Sequence, residues 1–310
     1  MSERLLRRLS HRLEYAGYRL LTAVANALPE RTADRTGAWI GRLVERIGIR
    51  RQVALENLRA AFPEQDAAWI RRVLRASYEH LGREAISILR LPRIPPDRWL
   101  ERIRYPEEEM AAVRRALERG RGAVIVTGHI GGLEAAARTL TALGFTLHAY
   151  FQRMANPYVD AEVARTRAAI GIQLIDRGRG VGPGVQALLQ NHLVAVVADQ
   201  DARSHGVFVP FMGRPASTFR GPAIMALRAN APIFFGFAKR DGDGWLGGVR
   251  EVLVPRDGDP DDVSQRMVAE YTARLEAVVR EAPEQYFWQH RRWKTMPPAA
   301  APEPAPGATV

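Results

Sequence analysis

The sequence predicts an α/β protein: a mostly parallel central sheet flanked by helices, behind a helical N-terminal third. Three observations carry this. From Ala123 onward, short runs rich in β-branched residues alternate with helix-length stretches, the pattern of parallel strands joined by crossover helices. Before that point, apolar residues recur at helical spacing through Trp39, Ile40, Leu43 and Ile47, then Val53, Leu55, Leu58 and Phe62. The chain has 310 residues, 46% hydrophobic and 25% charged, an ordinary globular composition with ample length for a core.

Taken in order, Ser2 to Leu28 reads as a helix in which Arg4, Arg7, Arg8 and Arg12 mix with Leu5, Leu6, Leu9, Leu13, Tyr15, Tyr18, Leu20 and Leu21. That mixture suits an amphipathic helix lying on an anionic membrane surface, and equally a core-packed helix with a solvated basic face. Its charge-free run, Leu20 to Pro29, is ten residues, against the roughly 20 needed to cross a bilayer. No small-residue cleavage site follows a long apolar stretch, so a signal peptide is not expected. Residues 32–91 read as helical, with Pro63, Pro92, Pro95 and Pro96 as punctuation, and a further helix is expected over 106–118.

Strands are predicted over Ala123–Thr127, Thr146–Phe151, Ile172–Ile175, Leu193–Ala198, Ile233–Phe237 and Val249–Val254. Helices are predicted between several of them, over Leu133–Leu143, Val159–Ile170, Val185–Asn191 and Pro222–Ala229. Val207–Pro215 reads as a strand and turn. A last helix, Asp262–Glu281, leads to Trp288, Arg291, Arg292 and Trp293, a cluster suited either to packing on the core or to the wet edge of a bilayer. The expected organisation is a membrane-docking helix over 1–30 and one domain over 31–296, helical to 118 and α/β from 119. The Ala- and Pro-rich residues 297–310 are expected to be a disordered tail.

Lys and Arg number 45 against 34 Asp and Glu, a formal net charge of +11. Such a balance points to an anionic partner. All the basic residues but Lys239 and Lys294 are arginine; a GC-rich genome produces that bias, and planar guanidinium groups also suit bidentate binding of phosphate. Charge alone allows a nucleic-acid binder, but no zinc finger, ribonucleoprotein motif or compact recognition helix accompanies it. The absence of cysteine excludes disulfides, thiolate metal sites and a cysteine nucleophile.

The chemistry concentrates in Val124-Ile-Val-Thr-Gly-His-Ile-Gly-Gly-Leu-Glu134. An apolar strand ends, His129 follows, and a helix begins after Gly131-Gly132; ligands of open α/β sheets bind at that carboxyl edge. On a continuous helix, His129 and Glu134 would sit about 140° apart, so they meet only if the chain turns at the glycines. A carboxylate on one imidazole nitrogen fixes the tautomer and leaves the other as general base. A structural, hydrogen-bonded histidine is the competing reading. No Gly-x-Ser-x-Gly elbow supplies a serine nucleophile, and no His-Glu-x-x-His pair supplies a metal site. A base without its own nucleophile suits activation of an external hydroxyl, as in acyl transfer from a thioester to an alcohol.

His129-x4-Glu134 after a strand resembles the first motif of the lysophospholipid acyltransferase superfamily. The remaining blocks resemble one branch, the bacterial lipid A late acyltransferases. Asn57-Leu58 with Phe62-Pro63-Glu64 is similar to its N-terminal signature, and Asn156-Pro157 with Arg167 and Arg177 to its second block. Asp199-Gln200-Asp201, Val207 to Ala216 and Thr218 look like the third block, and Ala231-Pro232 like the start of the fourth. Pro283-Glu284-Gln285-Tyr286, Trp288 and His290 to Lys294 resemble the C-terminal signature. The dyad loop departs from the usual His-Phe-Gly-Asn-Trp-Glu, with Ile130, Gly132 and Leu133 in place of Phe, Asn and Trp; acyl length and acceptor identity are what that leaves open.

The resemblance implies that His129, oriented by Glu134, deprotonates an acceptor hydroxyl attacking the thioester of an acyl carrier protein or coenzyme A. It implies a glycolipid acceptor, foremost a lipid A precursor, with a phosphatidylinositol mannoside as the alternative. It places the protein peripherally on the cytoplasmic face of the inner membrane, with no nucleic acid, resident cofactor or metal. Arg167 and Arg177 would bind phosphate or the oxyanion, Asp199 would orient an arginine, and Gln200, Gly213 and Arg214 would line the acceptor site. The other histidines, His11, His80, His148, His192, His205 and His290, read as structural or surface groups.

Overall fold

A computed structural model describes residues 3–297. The N-terminal third is helical: α1 (Glu3–Ala27), α2 (Glu30–Ile47), α3 (Arg51–Ala61), α4 (Ala67–Arg90) and the short α5 (Pro96–Leu100). The helix expected over 32–91 is therefore three, broken where Gly48 takes a left-handed C-cap (φ 88°) and where Asp66 caps α4 by accepting from the Trp69 N–H at 2.7 Å. α2 lies tightly along α4 because both offer glycine at the crossing. A Cβ built on Gly41 would fall 1.9 Å from the Tyr78 carbonyl oxygen.

The α/β part follows: β1 (Ile103–Arg104), α6 (Glu107–Glu118), β2 (Ala123–Thr127), α7 (Leu133–Ala142), β3 (Leu147–Phe151), α8 (Pro157–Ala169), β4 (Ile172–Asp176), α9 (Gly182–Leu189) and β5 (Leu193–Val197). After it come a hairpin of β6 (Val207–Phe211) and β7 (Arg214–Thr218), then α10 (Gly221–Ala229), β8 (Ile233–Asp241), β9 (Gly244–Glu251) and α11 (Pro260–Glu281). Seven strands form one sheet in the order β1-β9-β8-β2-β5-β3-β4. Every pair is parallel except β8 with β9. The predicted α/β class is the one observed.

β9 starts at Gly244, earlier than the expected 249, because Asp241 to Gly244 closes a hairpin directly from β8. Alternation along β2 divides the core. Val124 and Val126 face α3, α4, α10 and α11; Ala123 and Ile125 face the layer of α5, α6 and α7. The C-terminal segment closes the first layer: Trp288 and Arg292 are 1% and 2% exposed. Of the two readings of that cluster, packing on the core is therefore the one observed. Asn57 on α3 holds it, its Nδ2 donating to the carbonyls of Trp288 (2.7 Å) and His290 (2.6 Å).

Candidate active site

β2 and β5 run parallel in register, Thr127 opposite Val197, and both end at the same edge of the sheet. Two residues beyond each end stand His129 and Asp199. Register alone therefore sets them side by side across a separation of 70 residues. The Nδ1 of His129 lies 2.7 Å from Oδ1 of Asp199, and the backbone N–H of His129 donates to Oδ2 at 2.8 Å. The Asp199 side chain is 3% exposed and that of His129 is 28% exposed, so the carboxylate is sealed while the ring reaches solvent.

Electrostatics follow from this contact. Burial pushes the His129 imidazole down, but the Asp199 charge and hydrogen bond outweigh it and hold the ring above its ordinary range. Burial likewise pushes Asp199 up, and the His129 contacts, joined by the Arg292 charge, bring it below the usual carboxylate range. With Nδ1–H donating to Asp199, the lone pair of neutral His129 sits on Nε2. The Gln200 amide nitrogen lies 3.4 Å from that atom.

The loop holding His129 is pinned by its neighbours. Gly131 adopts φ +60°, and a Cβ there would fall 1.9 Å from the Ala238 carbonyl oxygen, so no other residue fits. Its N–H donates to Gln285 and the Gly132 N–H donates to Ala238, while the Phe287 N–H donates to the carbonyl of His129. His80, pushed down to about 4 by burial, is neutral, and its Nε2 lies 3.2 Å from the Gly131 carbonyl. Arg292, whose charge acts on Asp199, is itself held by donating to the Ser217 carbonyl and Thr218 Oγ1, each at 2.6 Å. The buried Tyr286 ring sits there too; burial, then the Asp199 charge, push its phenol far up.

Not every expected residue meets at this point. Glu134 does not bond the imidazole. It begins α7 facing α8, where its Oε1 accepts from Nη2 (2.7 Å) and Nε (3.2 Å) of Arg167. Asp199 occupies the place beside the imidazole where Glu134 was expected, and it bonds a histidine where an arginine was expected. Parallel register favours residues at equal offsets past neighbouring strands, while the turn at Gly131-Gly132 sends Glu134 to the next layer. Arg177 donates to Gln152 Oε1 (3.2 Å) and stacks over Phe219 at 4.7 Å. Gly213, φ +73°, makes the tip of the β6–β7 hairpin, and Arg214 lies over Trp293 at 5.2 Å. Among the described residues none of these three contacts His129. His80, Tyr286 and Arg292 were legible in the sequence only as a structural group or as members of the C-terminal block.

An apolar cavity of about 60 Å³ lies under α7, lined by Thr127, Leu133, Ala137, Ile125 and Phe237 among others. It abuts both the end of β2 and the start of α7, the two elements that flank His129. A sealed carboxylate paired with a partly exposed imidazole thus stands at the carboxyl edge of a parallel sheet, where ligands of open α/β sheets bind, with an apolar slot under the neighbouring α7.

Comparison with known proteins places the chain in a family. The family model for bacterial lipid A biosynthesis acyltransferases matches residues 2–295, and the chain belongs to that family. It is similar to the lipid A biosynthesis lauroyltransferase of Escherichia coli K12, 28% identical over 279 residues, covering 87% of this chain and 88% of that one. It is similar to the palmitoleoyltransferase of the same organism, 27% identical over 84% of both chains. A phosphatidylinositol mannoside acyltransferase of Mycolicibacterium smegmatis is 24% identical, again over 84% of both chains.

Proposed function

We propose that this acyltransferase moves a fatty acyl chain from a thioester of acyl carrier protein or coenzyme A to a hydroxyl of a lipid A precursor. The observation that carries the reading is the imidazole whose Nδ1 is committed to Asp199, leaving Nε2 toward solvent as base. Nε2 takes the proton of the acceptor hydroxyl as its oxygen bonds to the thioester carbonyl carbon. The tetrahedral oxyanion collapses, the carbon–sulfur bond breaks, and the imidazolium returns its proton to the departing thiolate. Asp199 stabilises the transient imidazolium. The slot under α7 accepts the acyl end nearest the carbonyl. Arg167, clamped by Glu134, supplies positive charge at the edge of the site, and Gln200 borders the reacting oxygen. Arg177 and the Gly213-Arg214 turn serve the outer parts of a large acceptor.

Association with the membrane is peripheral in this reading. No described helix is long and apolar enough to cross a bilayer. Leu9, Leu13 and Leu20 of α1 and Trp39, Leu43 and Ile47 of α2 are exposed beside arginines, a surface suited to the cytoplasmic leaflet. Radiolabelled acyl transfer to a purified lipid A precursor tests the core of the proposal: His129→Ala abolishes it, and unchanged transfer rejects the base. The mannoside reading is kept because a mannoside acyltransferase stands among the relatives at comparable coverage. Lipid mass spectrometry after deletion and complementation separates the two: an acyl chain missing from lipid A supports the first, a changed mannolipid with intact lipid A the second.

A further inference from the structure

A second, wider cavity lies apart from the apolar slot under α7. It is a cleft of about 920 Å³ between the N-terminal helices and the β8–β9 turn, and seven arginines line it against three carboxylates. The pairing inside is incomplete. Arg102 meets Glu30 at 2.5 Å and Arg31 meets Asp243 at 3.4 Å. Arg83 and Arg240 share Asp34 at 3.1 and 2.7 Å, and Arg240 also meets the buried Glu84 at 2.6 Å. Arg90 donates to the carbonyls of Ala25 and Leu28, ending α1. Arg35 and Arg93 are exposed on the cleft and have no carboxylate within 4.0 Å among the described residues.

Gathering like charges in a concave, partly low-dielectric space is unfavourable unless a polyanion enters. Guanidinium groups present paired donors that match phosphate oxygens. The cleft is joined to the catalytic loop. Arg240, in its wall, lies two residues after Ala238, whose carbonyl accepts the Gly132 N–H at 2.8 Å. Ile94, also in its wall, has its carbonyl bonded by Arg138 of α7, the helix that follows the catalytic loop.

Resting on the acyltransferase reading, we infer that this cleft binds a phosphate or diphosphate carried by one of the two reactants, with Arg35 and Arg93 as its unspent donors. A phosphorylated glycolipid headgroup and the phosphate-bearing arm of the thioester share that chemistry.

Calorimetry on the full-length protein carrying His129→Ala, which does not turn over, tests it. The donor arm uses coenzyme A against pantetheine; the acceptor arm uses a phosphorylated glucosamine-disaccharide lipid in micelles against its dephosphorylated form. Preference for the phosphorylated form in either arm, weakened about tenfold or more by Arg35→Gln with Arg93→Gln and partly recovered by the two lysine variants, is the expected result. The arm that responds names the source. Equal binding of phosphorylated and dephosphorylated probes in both arms, or binding unmoved by the double variant, overturns the inference. With His129 restored, the double variant raises KM far more than it lowers kcat. Failure of the acyltransferase reading looks different: the wild-type chain transfers no acyl group while charge-dependent phosphate binding persists.

Discussion

Asp199 accepts two hydrogen bonds from one residue, from the ring and from the backbone N–H of His129, so it fixes both tautomer and ring orientation. Asp199→Asn keeps the shape but removes the charge, and kcat is expected to fall about 10³–10⁴-fold, as when other imidazole bases lose their orienting carboxylate. Only neutral His129 accepts a proton, so kcat/KM rises with pH through a midpoint above the ordinary 6.5. In Asp199→Asn that midpoint moves down, which a pH–rate profile reads directly. The linkage to stability has two signs. His129, raised on folding, contributes below its unfolded pKa and loses that contribution as pH rises through its folded value. Asp199, lowered on folding, contributes above its unfolded pKa and loses it as pH falls through its folded value. The stability gap between wild type and Asp199→Asn, measured by urea unfolding, is therefore widest between the two and narrows toward either extreme.

At the scale of elements, the loop carrying His129 keeps its shape because β8 and the C-terminal segment bond it. Gly131→Ala places a methyl against the Ala238 carbonyl in a left-handed backbone. A loss of about 2–4 kcal/mol is expected in urea unfolding, with activity falling as His129 shifts off Asp199. Glu134 belongs to a different contact, the clamp between α7 and α8. Glu134→Gln is accordingly expected to move the pH–rate midpoint less than Asp199→Asn does, while costing about 1–3 kcal/mol through the weakened pair with Arg167. A larger midpoint shift in Glu134→Gln would assign the orienting role to Glu134 instead of Asp199.

Across the whole molecule, the N-terminal helices do two things at once. Their inner faces pack on α4 and wall the arginine cleft, and their outer faces expose apolar residues beside basic ones. Trp39 and Ile47, two turns apart on α2, are 56% and 65% exposed. Changing both to Ser touches no core contact and leaves the circular-dichroism spectrum as it is. Co-sedimentation with anionic vesicles is expected to drop about tenfold or more, from the apolar area withheld from the membrane. Added salt weakens what remains, because the arginine contribution is screened.

Much of this architecture is local and therefore readable along the chain. Helical spacing marks the N-terminal third, and the β-rich runs at Ala123–Thr127 and Leu193–Ala198 coincide with strands to within a residue. β9 was placed late because Gly247 and Gly248 thin its apolar signal, and its strand identity comes from pairing with β8. Ordered motifs along the chain were enough to indicate the acyltransferase family, and they put His129 at the strand's end. Which carboxylate reaches that histidine was decided only on folding. Glu134 is five residues away and points to α8; Asp199 is 70 residues away and lies alongside. The physical reason is that the order of strands in a sheet is a non-local choice. Once β5 rather than β3 lies next to β2, equal offsets beyond the two strands become neighbours in space.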